Sequence, residues 1–437
     1  MKIWTNSKYI EENDTFLCDD KTIKYLFDAV SNGASKIIYT KDKNKYLYEA
    51  YYNKIKDLIL IGITGTNGKT TTSYLIYQML NKIGVKTSYI GTIGFYINND
   101  IYNLDNTTPS MDLLYNLLLI SANKKCKVVV MEVSSHALKQ DRLYGLLFDA
   151  ICVTNITEDH LDYHKTLDDY ILSKKKLINM TRGKKICMLN KFDKYYKKFI
   201  SKKNKNIIIG KNIKIKKVKN KLDSTTIYVK DKKQKKYNIK LIGMFNIYNF
   251  LCAYFIIKSL GYDINLVDNI LEKIKEPSGR MQKIDYKENV IFIDYAHTPD
   301  AVKNVLKTVR KIKNKKIITI IGCGGNREKE KRPIMANIAC KYSNEVIFTN
   351  DNPRYEDEKE IIEDMIKGAF GKYKIIYDRY DAIKEGIEML DKKMILMILG
   401  KGHEDYQIIG KQKHHFSDKE EVENYLKTLN ISDEKTI

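Results

Sequence analysis

Cysteine and long apolar runs are both scarce in this chain of 437 residues. The seven cysteines are odd in number and widely scattered, which excludes the close pairs of a zinc site and a dense disulfide framework, and which fits reduced thiols. No apolar run approaches the roughly 18 residues that span a bilayer, and the N-terminus carries no apolar signal core. We therefore expect a soluble, cytoplasmic protein without stable membrane insertion.

The chain is longer than one hydrophobic core usually serves, so we expect two or three domains. With 43% hydrophobic and 30% charged residues, its composition is that of a globular protein. The formal net charge of +23 would suit nucleic acid if the basic residues lay along one element. The lysines are instead spread through every segment, so we interpret the excess as solvated surface and expect no nucleic-acid partner. A nucleic-acid-binding ATPase is kept as an alternative from another class.

A glycine-rich stretch, Gly-Ile-Thr-Gly-Thr-Asn-Gly-Lys-Thr-Thr-Thr at 62–72, follows an apolar run and precedes a helical pattern. Its glycine spacing, followed by Lys69 and Thr70, is that of a phosphate-binding loop. Backbone N–H groups and a helix N-terminus would hold anionic oxygens, Lys69 would reach the outer phosphates, and the Thr70 hydroxyl would bind magnesium. The stretch therefore predicts a nucleotide site.

Apolar strand candidates alternate with helical stretches on both sides of a break at 276–279 (Glu-Pro-Ser-Gly), which predicts α/β architecture with parallel sheets. We expect three domains: a small N-terminal α/β cap over 1–57, a central P-loop ATPase domain over 58–277, and a C-terminal Rossmann-like domain over 278–437. Short alternating pieces between 205 and 242 predict a β-hairpin insertion in the central domain. Ligands of such sheets gather at the carboxyl ends of the strands.

Acidic side chains and histidines are concentrated at those predicted strand ends. Glu132 follows the apolar run 127–131, and five of the seven histidines (136, 160, 164, 297 and 403) lie in strand-end clusters. A glutamate that merely closes a strand is the simpler interpretation of one such position, but the repeated pattern favours a shared functional site.

Six ordered motifs resemble those of the Mur ligase family, ATP-dependent enzymes that lengthen the peptide stem of bacterial cell-wall precursors. The motifs are Glu-Val-Ser-Ser-His at 132–136, Asp-His-Leu-Asp-Tyr-His at 159–164, Asp-Tyr-Ala-His-Thr-Pro at 294–299, Gly-Cys-Gly-Gly-Asn-Arg at 322–327, Asp-Asn-Pro-Arg at 351–354 and Gly-Lys-Gly-His-Glu-Asp-Tyr-Gln at 400–407. The resemblance covers about residues 58 to 420 and is to the tripeptide-forming members.

The resemblance implies a reaction and its small-molecule partners. ATP would phosphorylate the D-Glu γ-carboxylate of UDP-MurNAc-L-Ala-D-Glu, and the amine of meso-diaminopimelate would attack the acyl phosphate to form an amide, with ADP and phosphate released. It also implies two Mg²⁺ ions, ATP as co-substrate, a carbamylated lysine and a monomeric enzyme of peptidoglycan precursor synthesis.

Site residues are carried over by their positions in the motifs. The resemblance implies catalytic roles for Lys69, Glu132, His160 and Lys174, and metal binding by Thr70, Glu132, His160 and Lys174. The implied ATP-binding residues are Gly65, Thr66, Asn67, Gly68, Lys69, Thr70, Thr71, Asn246, Asn249, Arg280, Asp294 and His297. The implied contacts of the UDP-muramoyl-dipeptide are Ser7, Asn106, Thr107, Thr108, Ser134, Gln140 and Arg142. The implied amino-acid-binding residues are Arg327, Asp351, Asn352, Pro353, Arg354, Gly400 and Glu404.

Two of these assignments leave an alternative open. The family spacing of Tyr, three residues and Lys selects Lys174 from three consecutive lysines, although a solvated basic helix face would show the same run. Arg354 favours meso-diaminopimelate because its distal carboxylate needs a cation; L-lysine or another diamino acid is the alternative substrate. The first domain is shorter than is usual in the family, so the uridine contact implied for Ser7 rests on few neighbouring matches.

Overall fold

The N-terminal unit of the computed structural model, which describes residues 2–311 and 315–434, is a three-stranded parallel sheet with two helices. Its elements are β1 (Ile3–Trp4), β2 (Thr15–Cys18), α1 (Leu26–Ser31), β3 (Lys36–Tyr39) and α2 (Lys43–Ile55), and the strand order is β1-β2-β3. The unit shares a hydrophobic core with the next one, since Leu17, Leu47 and Tyr51 pack in the same cluster as Leu114 and Tyr115. It is therefore a cap fused to its neighbour.

The central unit is built on an eight-stranded sheet ordered β11-β10-β9-β4-β8-β5-β6-β7. Its strands are β4 (Ile59–Thr64), β5 (Thr87–Gly91), β6 (Gly94–Ile97), β7 (Asp100–Tyr102), β8 (Val128–Glu132), β9 (Phe148–Val153), β10 (Thr181–Asn190) and β11 (Lys205–Ile209). Six strands are parallel, whereas β6 and β7 form an antiparallel edge. That edge was not predicted.

Helices cover both faces of this sheet. They are α3 (Lys69–Lys82), α4 (Met111–Asn123), α5 (Ser135–Lys139), α6 (Leu161–His164), α7 (Leu167–Lys175), α8 (Met244–Ser259) and α9 (Ile264–Asp268). Successive residues of a strand face opposite sides: Ile61 packs in the cluster of α3 and α8, whereas Leu60 packs in the cluster of α4. Both faces are buried, which explains the continuous apolar runs.

The predicted β-hairpin insertion has three strands rather than two. These are β12 (Lys214–Asn220), β13 (Thr225–Lys230) and β14 (Gln234–Ile239), which form an antiparallel sheet. The alternating residues Ile227, Val229, Tyr237 and Ile239 bury one face in the cluster of α8. The prediction was correct for β13 and β14 and missed that β12 pairs with β13.

The C-terminal unit is a six-stranded sheet ordered β15-β16-β20-β17-β18-β19, parallel except for β15. Its strands are β15 (Gln282–Tyr286), β16 (Asn289–Asp294), β17 (Ile317–Ile321), β18 (Glu345–Phe348), β19 (Tyr373–Ile375) and β20 (Ile395–Leu399). Its helices are α10 (Pro299–Arg310), α11 (Lys331–Tyr342), α12 (Glu358–Ile366), α13 (Arg379–Glu388) and α14 (Asp418–Glu434). A separate hairpin, β21 (Tyr406–Ile409) and β22 (Gln412–His415), follows β20.

The predicted fold class, α/β with parallel sheets in both larger units, is confirmed. The cysteines are all buried and unpaired. Among the described residues, no helix combines the length and the apolar character needed to cross a membrane.

Candidate active site

The predicted nucleotide loop lies at the carboxyl end of β4, an inner strand of the eight-stranded sheet, and runs into the first turn of α3. Lys69 Nζ donates hydrogen bonds to the carbonyl oxygens of Gly65 and Thr66, at 3.0 and 2.9 Å. Burial lowers the pKa of Lys69. Backbone N–H groups at a helix N-terminus with a cation folded over them are an arrangement that binds phosphate.

Two glycines of this loop occupy positions that exclude a side chain. Gly65 has a φ of 145°, and a Cβ there would lie 1.9 Å from Thr154 Oγ1. Gly68 has a φ of 85°, and a Cβ there would lie 2.4 Å from Asn249 Oδ1. Thr154 Oγ1 also donates to the Asn67 carbonyl at 2.7 Å. The loop therefore packs against Thr154, which follows β9, and against Asn249 of α8.

The Glu132 carboxylate, at the end of β8, forms a second wall and is fully buried. Its Oε1 accepts hydrogen bonds from the Tyr89 hydroxyl and, at 2.9 Å, from the Thr92 N–H. Its Oε2 accepts from the Thr92 hydroxyl at 3.1 Å and from the Thr70 hydroxyl at 3.0 Å. Four donors satisfy the buried carboxylate and fix its orientation towards Thr70.

Thr70 and Glu132 together fit a magnesium ion. Magnesium prefers oxygen ligands and usually takes only one or two from the protein, beside phosphates and water. The two side-chain oxygens lie 3.0 Å apart, close enough to share one ion. Within the described part of the chain, no three His, Cys, Asp or Glu side chains converge as a metal cage. Magnesium here would depend on the nucleotide for further ligands.

Of the three consecutive lysines 174–176, Lys174 is the one whose side chain faces the nucleotide loop. It is 1% exposed, whereas the two lysines that follow it are exposed to solvent. Its Nζ donates to the Gly65 carbonyl at 2.9 Å and lies 4.5 Å from the ring centre of Tyr170. Burial, together with the nearby Lys69 cation, lowers the pKa of Lys174 well below its usual value. The neutral amine is thereby favoured, and the neutral amine is the form that reacts with carbon dioxide.

His160 stands beside this group with an unusual backbone conformation. Its φ is 56°, in the left-handed region, and such strain at a polar residue indicates function. The ring lies edge-on to His136, with ring centres 4.8 Å apart, and Nε2 is 3.5 Å from Asp159 Oδ2. Burial lowers the pKa of His160 to about 4. The imidazole is therefore neutral near pH 7 and available as a ligand.

The C-terminal unit reaches across to the nucleotide loop through side chains. Arg280 Nη2 donates to Thr70 Oγ1 at 3.3 Å, and Asp300 Oδ2 accepts from Asn67 Nδ2 at 3.3 Å. The guanidinium of Arg280 also lies over the ring of Tyr295, 4.3 Å from its centre. These contacts enclose the loop between two units and bring a second cation beside Lys69.

Asp294, at the end of β16, is buried behind Arg280. Its carboxylate accepts from the N–H groups of Met281 at 2.7 Å and Ala296 at 2.8 Å. Burial raises the pKa of Asp294 to about 6. The carboxylate therefore ties the backbone next to Arg280, just before β15, to the segment that follows β16.

The walls enclose a cavity of about 700 Å³, within the usual range for a small-molecule site. It is lined by all but one of the residues predicted to bind ATP, namely Thr66, Asn67, Gly68, Lys69, Thr70, Thr71, Asn246, Asn249, Arg280, Asp294 and His297. His160 and Thr107 line it as well. The Gly65 carbonyl is turned instead towards the two lysines Lys69 and Lys174.

The predicted amino-acid-binding residues meet at the carboxyl ends of β18 and β20. Asn352 Nδ2 donates to Glu404 Oε2 at 2.8 Å, and the Asn352 carbonyl accepts from Arg354 Nη1 at 3.4 Å. The same Nη1 donates to the Gly325 carbonyl at 2.8 Å. Burial, reinforced by the Asp351 carboxylate, raises the pKa of Glu404. A guanidinium and a carboxylate thus flank one asparagine.

Three loops pack closely around that asparagine. A Cβ on Gly400 would lie 2.4 Å from Asp351 Oδ2, and one on Gly325 would lie 1.9 Å from the Pro353 carbonyl. Arg354 has a φ of 55°, and its N–H donates to the Ile408 carbonyl of β21 at 3.0 Å. The unpredicted hairpin β21–β22 is therefore one wall of this second pocket.

Two family models match the chain over most of its length. The model described as the Mur ligase middle domain matches residues 63–257, and that described as the Mur ligase, glutamate ligase domain matches residues 279–402. The chain belongs to the Mur ligase family. It is therefore an enzyme of the ATP-dependent ligase class.

Named relatives and a solved structure extend this similarity to nearly the whole Mur ligase chain. The UDP-N-acetylmuramoyl-L-alanyl-D-glutamate--2,6-diaminopimelate ligase of Aquifex aeolicus (strain VF5) is 40% identical over 400 residues, covering 89% of this chain and 83% of the relative. The enzyme of the same name from Clostridium botulinum (strain ATCC 19397 / Type A) is 34% identical and covers 98% of this chain and 95% of the relative. A solved structure of a ligase of that name has a TM-score of 0.69 and 29% identity, covering 98% of this chain and 95% of its own.

The residues predicted to hold the dipeptide substrate mostly form one cluster in this Mur ligase. Thr108 Oγ1 donates to the Glu132 carbonyl at 2.8 Å and accepts from the Ser134 N–H at 3.0 Å. Arg142 donates to the Thr108 carbonyl at 2.6 Å and to Gln140 Oε1 at 2.9 Å. The cluster is thus tied directly to the strand end that carries the proposed magnesium ligand.

Three predicted residues do not line the main cavity, and within the described part of the chain their side chains form no hydrogen bond with another predicted site residue. Asn106 and Arg327 are exposed, and Ser7 is buried in the N-terminal unit, outside the residues that line the main cavity. Thr107 joins the Glu132 wall, because its hydroxyl lies 3.0 Å from that of Thr92.

Sequence reasoning missed two residues that orient Glu132. Tyr89 and Thr92 lie in or just after β5, a segment for which the sequence analysis made no prediction. A hydroxyl following the end of a parallel strand was the available signal for Thr92; Tyr89 carried none, because a buried tyrosine in a strand is ordinary core.

Proposed function

We propose that this Mur ligase joins meso-diaminopimelate to the D-Glu γ-carboxylate of UDP-MurNAc-L-Ala-D-Glu, with ATP as co-substrate, in peptidoglycan precursor synthesis. The names of the relatives support the proposal. The observation that carries the choice of amino acid is the pairing of Arg354 and Glu404 around Asn352. The distal end of meso-diaminopimelate has a carboxylate and an ammonium on one carbon, so it needs a cation and an anion side by side. The distal end of L-lysine needs only the anion.

The first step is in-line attack of the D-Glu γ-carboxylate on the γ-phosphorus of ATP, which forms an acyl phosphate and ADP. Lys69 leaves its carbonyl partners to bind the phosphates, and Arg280, beside Thr70, adds a second cation where negative charge spreads over the phosphoryl oxygens. Magnesium, bound by Thr70 and Glu132, would supply further charge neutralisation. The contacts between the two units exclude water that would hydrolyse the acyl phosphate.

Lys174 is proposed to be carbamylated. Its amine nitrogen would bond to the carbon of CO₂ and lose a proton, so that a neutral group becomes an anion. The position favours this exchange, because the nearby Lys69 disfavours a second cation and would attract an anion. Together with His160 and Glu132, the carbamate would complete the protein's contribution to a second magnesium site.

In the second step the amine of the amino acid attacks the acyl phosphate carbon, and the tetrahedral intermediate releases phosphate as the amide forms. Asn352, Arg354 and Glu404 orient the amino acid by its distal end, which leaves the other amine free to reach the nucleotide cavity. Positioning of two bound substrates supplies most of the rate enhancement that such a site needs.

The test is phosphate release by the purified enzyme with ATP, UDP-MurNAc-L-Ala-D-Glu and one amino acid, with the product identified by mass spectrometry. We expect turnover with meso-diaminopimelate to exceed that with L-lysine and L-ornithine by at least tenfold, and none with Lys69→Ala. Equal turnover with L-lysine would overturn the choice of amino acid. Phosphate release that depends on added DNA or RNA and not on the dipeptide substrate would overturn the ligase assignment.

A further inference from the structure

An ion pair buried beneath the amino-acid pocket connects two helices that the reaction does not otherwise involve. Arg379 is the first residue of α13, and Asp418 is the first residue of α14. Arg379 Nε donates to Asp418 Oδ1 at 2.7 Å and Nη2 donates to Oδ2 at 2.8 Å. Neither side chain is exposed to solvent. The pair is therefore bidentate and fully desolvated.

The remaining donors of Arg379 hold the backbone of two loops. Nη1 donates to the Asn350 carbonyl and Nη2 to the Leu399 carbonyl, both at 3.1 Å. Asn350 directly precedes Asp351, where the first amino-acid-binding loop begins, and Leu399 directly precedes Gly400, where the second begins. One guanidinium thus contacts the starting point of each loop.

These two loops leave strands that are not neighbours. In the sheet, β17 lies between β20 and β18, so no strand ladder joins the two loop starts directly. A planar guanidinium with donors in fixed directions can bridge such a gap, and Asp418 fixes the plane. An ammonium has no fork and cannot contact both carbonyls and the carboxylate in the same way.

The energetic contribution of a buried ion pair does not by itself explain Arg379. Apolar side chains of similar volume often stabilise a fold as well or better, because two charges must be desolvated. What apolar side chains cannot do is hold two backbone carbonyls at a set separation. The geometry is therefore better explained by the loops that it holds than by stability.

We propose that Arg379, oriented by Asp418, is a positioning residue that sets the separation of the two amino-acid-binding loops, and with it the affinity and selectivity for the amino acid. The proposal rests on the proposed function for the identity of the loops. Asn352 and Arg354 lie on one loop and Glu404 lies on the other. A change in loop separation therefore alters the distance between the Arg354 guanidinium and the Glu404 carboxylate, which are proposed to bind the distal end of the substrate.

The test compares Arg379→Lys, Asp418→Asn and the apolar double variant Arg379→Met/Asp418→Leu with wild type. We expect KM for the amino acid to rise at least tenfold in each, KM for ATP to stay within twofold, and selectivity between meso-diaminopimelate and L-lysine to fall. The matched control is Asp364→Asn, which removes an ion pair with the buried Arg332 in the same unit and leaves both carbonyl contacts intact. Thermal unfolding is recorded for every variant.

The proposal would be overturned if kcat fell while KM for the amino acid rose no more than KM for ATP. It would also be overturned if Asp364→Asn raised KM for the amino acid, and not KM for ATP, to the same extent. Loss of folded protein in all three variants would overturn it too, because the apolar pair preserves volume and would then show a purely structural role. If wild type prefers L-lysine, the proposed function fails, yet the split in KM measured with L-lysine still decides the role of Arg379.

Discussion

Arg354→Ala separates the two amino acids that the second pocket could accept. Arg354 Nη1 is occupied by the carbonyls of Gly325 and Asn352. No described residue accepts a hydrogen bond from its Nε or Nη2, so these are the donors left for a substrate carboxylate. Alanine tolerates the left-handed backbone here no worse than arginine does, since both carry a Cβ. The substitution therefore removes the cation together with the Nη1 contacts to the Gly325 and Asn352 carbonyls, and it keeps the backbone hydrogen bond from the Arg354 N–H to the Ile408 carbonyl.

The size of the expected rise in KM depends on how exposed the Arg354 side chain is. A hydrogen bond to a charged group contributes about 1.5–3 kcal/mol. Arg354 is half-buried, so solvent screens part of its charge and the lower end applies, about 1.5–2 kcal/mol. At 1.36 kcal/mol for each factor of ten, KM for meso-diaminopimelate should rise about 10- to 30-fold. KM for L-lysine, which has no distal carboxylate, should change less than about threefold.

The assay is amino-acid-dependent phosphate release at saturating ATP and dipeptide substrate, with Arg310→Ala as the control. Arg310 is an arginine of the same unit that donates to Asn344 Oδ1 at 3.1 Å, away from the pocket. Equal increases in KM for the two amino acids would refute the reasoning, because Arg354 would then act on the loop and not on the carboxylate. A rise in KM for ATP would point to the same conclusion.

Other single residues give equally direct outcomes. Lys174→Arg keeps a long basic side chain but cannot form a carbamate, so kcat should fall by about 100-fold or more, whereas Lys175→Arg should match wild type. Failure of short carboxylic acids to restore part of the activity of Lys174→Ala would count against the carbamate. The raised pKa of Asp294, about 6, means that the folded chain binds a proton that the unfolded chain has released, so this group's contribution to stability falls by about 3 kcal/mol as pH rises from about 4 to 6. Urea unfolding of wild type and Asp294→Asn across that range should show this difference, and a difference that does not vary with pH would contradict it. Gly68→Ala, whose Cβ would meet an asparagine oxygen at 2.4 Å, should raise KM for ATP and lower Tm. Gly371→Ala, which has a φ of 75° and open space around it, should lose about 1–2 kcal/mol of stability and leave KM for ATP unchanged; equal effects of the two would show that only backbone strain matters.

Much of the fold could be predicted because its signals are local. A strand buried on both faces has a continuous apolar sequence, and four such runs in the C-terminal half correspond to β16, β17, β18 and β20. A fifth run, at 374–377, overlaps the exposed edge strand β19. The strands β6, β7, β21 and β22 have only three or four residues each, and β7, β21 and β22 contain no buried residue. Their pairing depends on the strand already formed beside them, so their own residues are weak predictors.

The nucleotide loop could be recognised for a similar reason. It is formed by contiguous residues, because its glycines, Lys69 and Thr70 all lie within the stretch 62–72. Strand-end positions such as Glu132 and Asp294 could also be proposed, because the carboxyl ends of parallel strands share one edge of a sheet.

The sequence by itself determined the loop, the alternation of strands and helices and the types of residue at the strand ends, since each depends on neighbours a few positions away. Only the tertiary structure decided which of three consecutive lysines faces the Gly65 carbonyl, which hydroxyls surround Glu132, and that Arg379 spans two loops across an intervening strand. Those contacts join residues tens to more than a hundred positions apart. They depend on the order of strands in the sheet and on the rotation of each helix against it, which a local pattern does not specify.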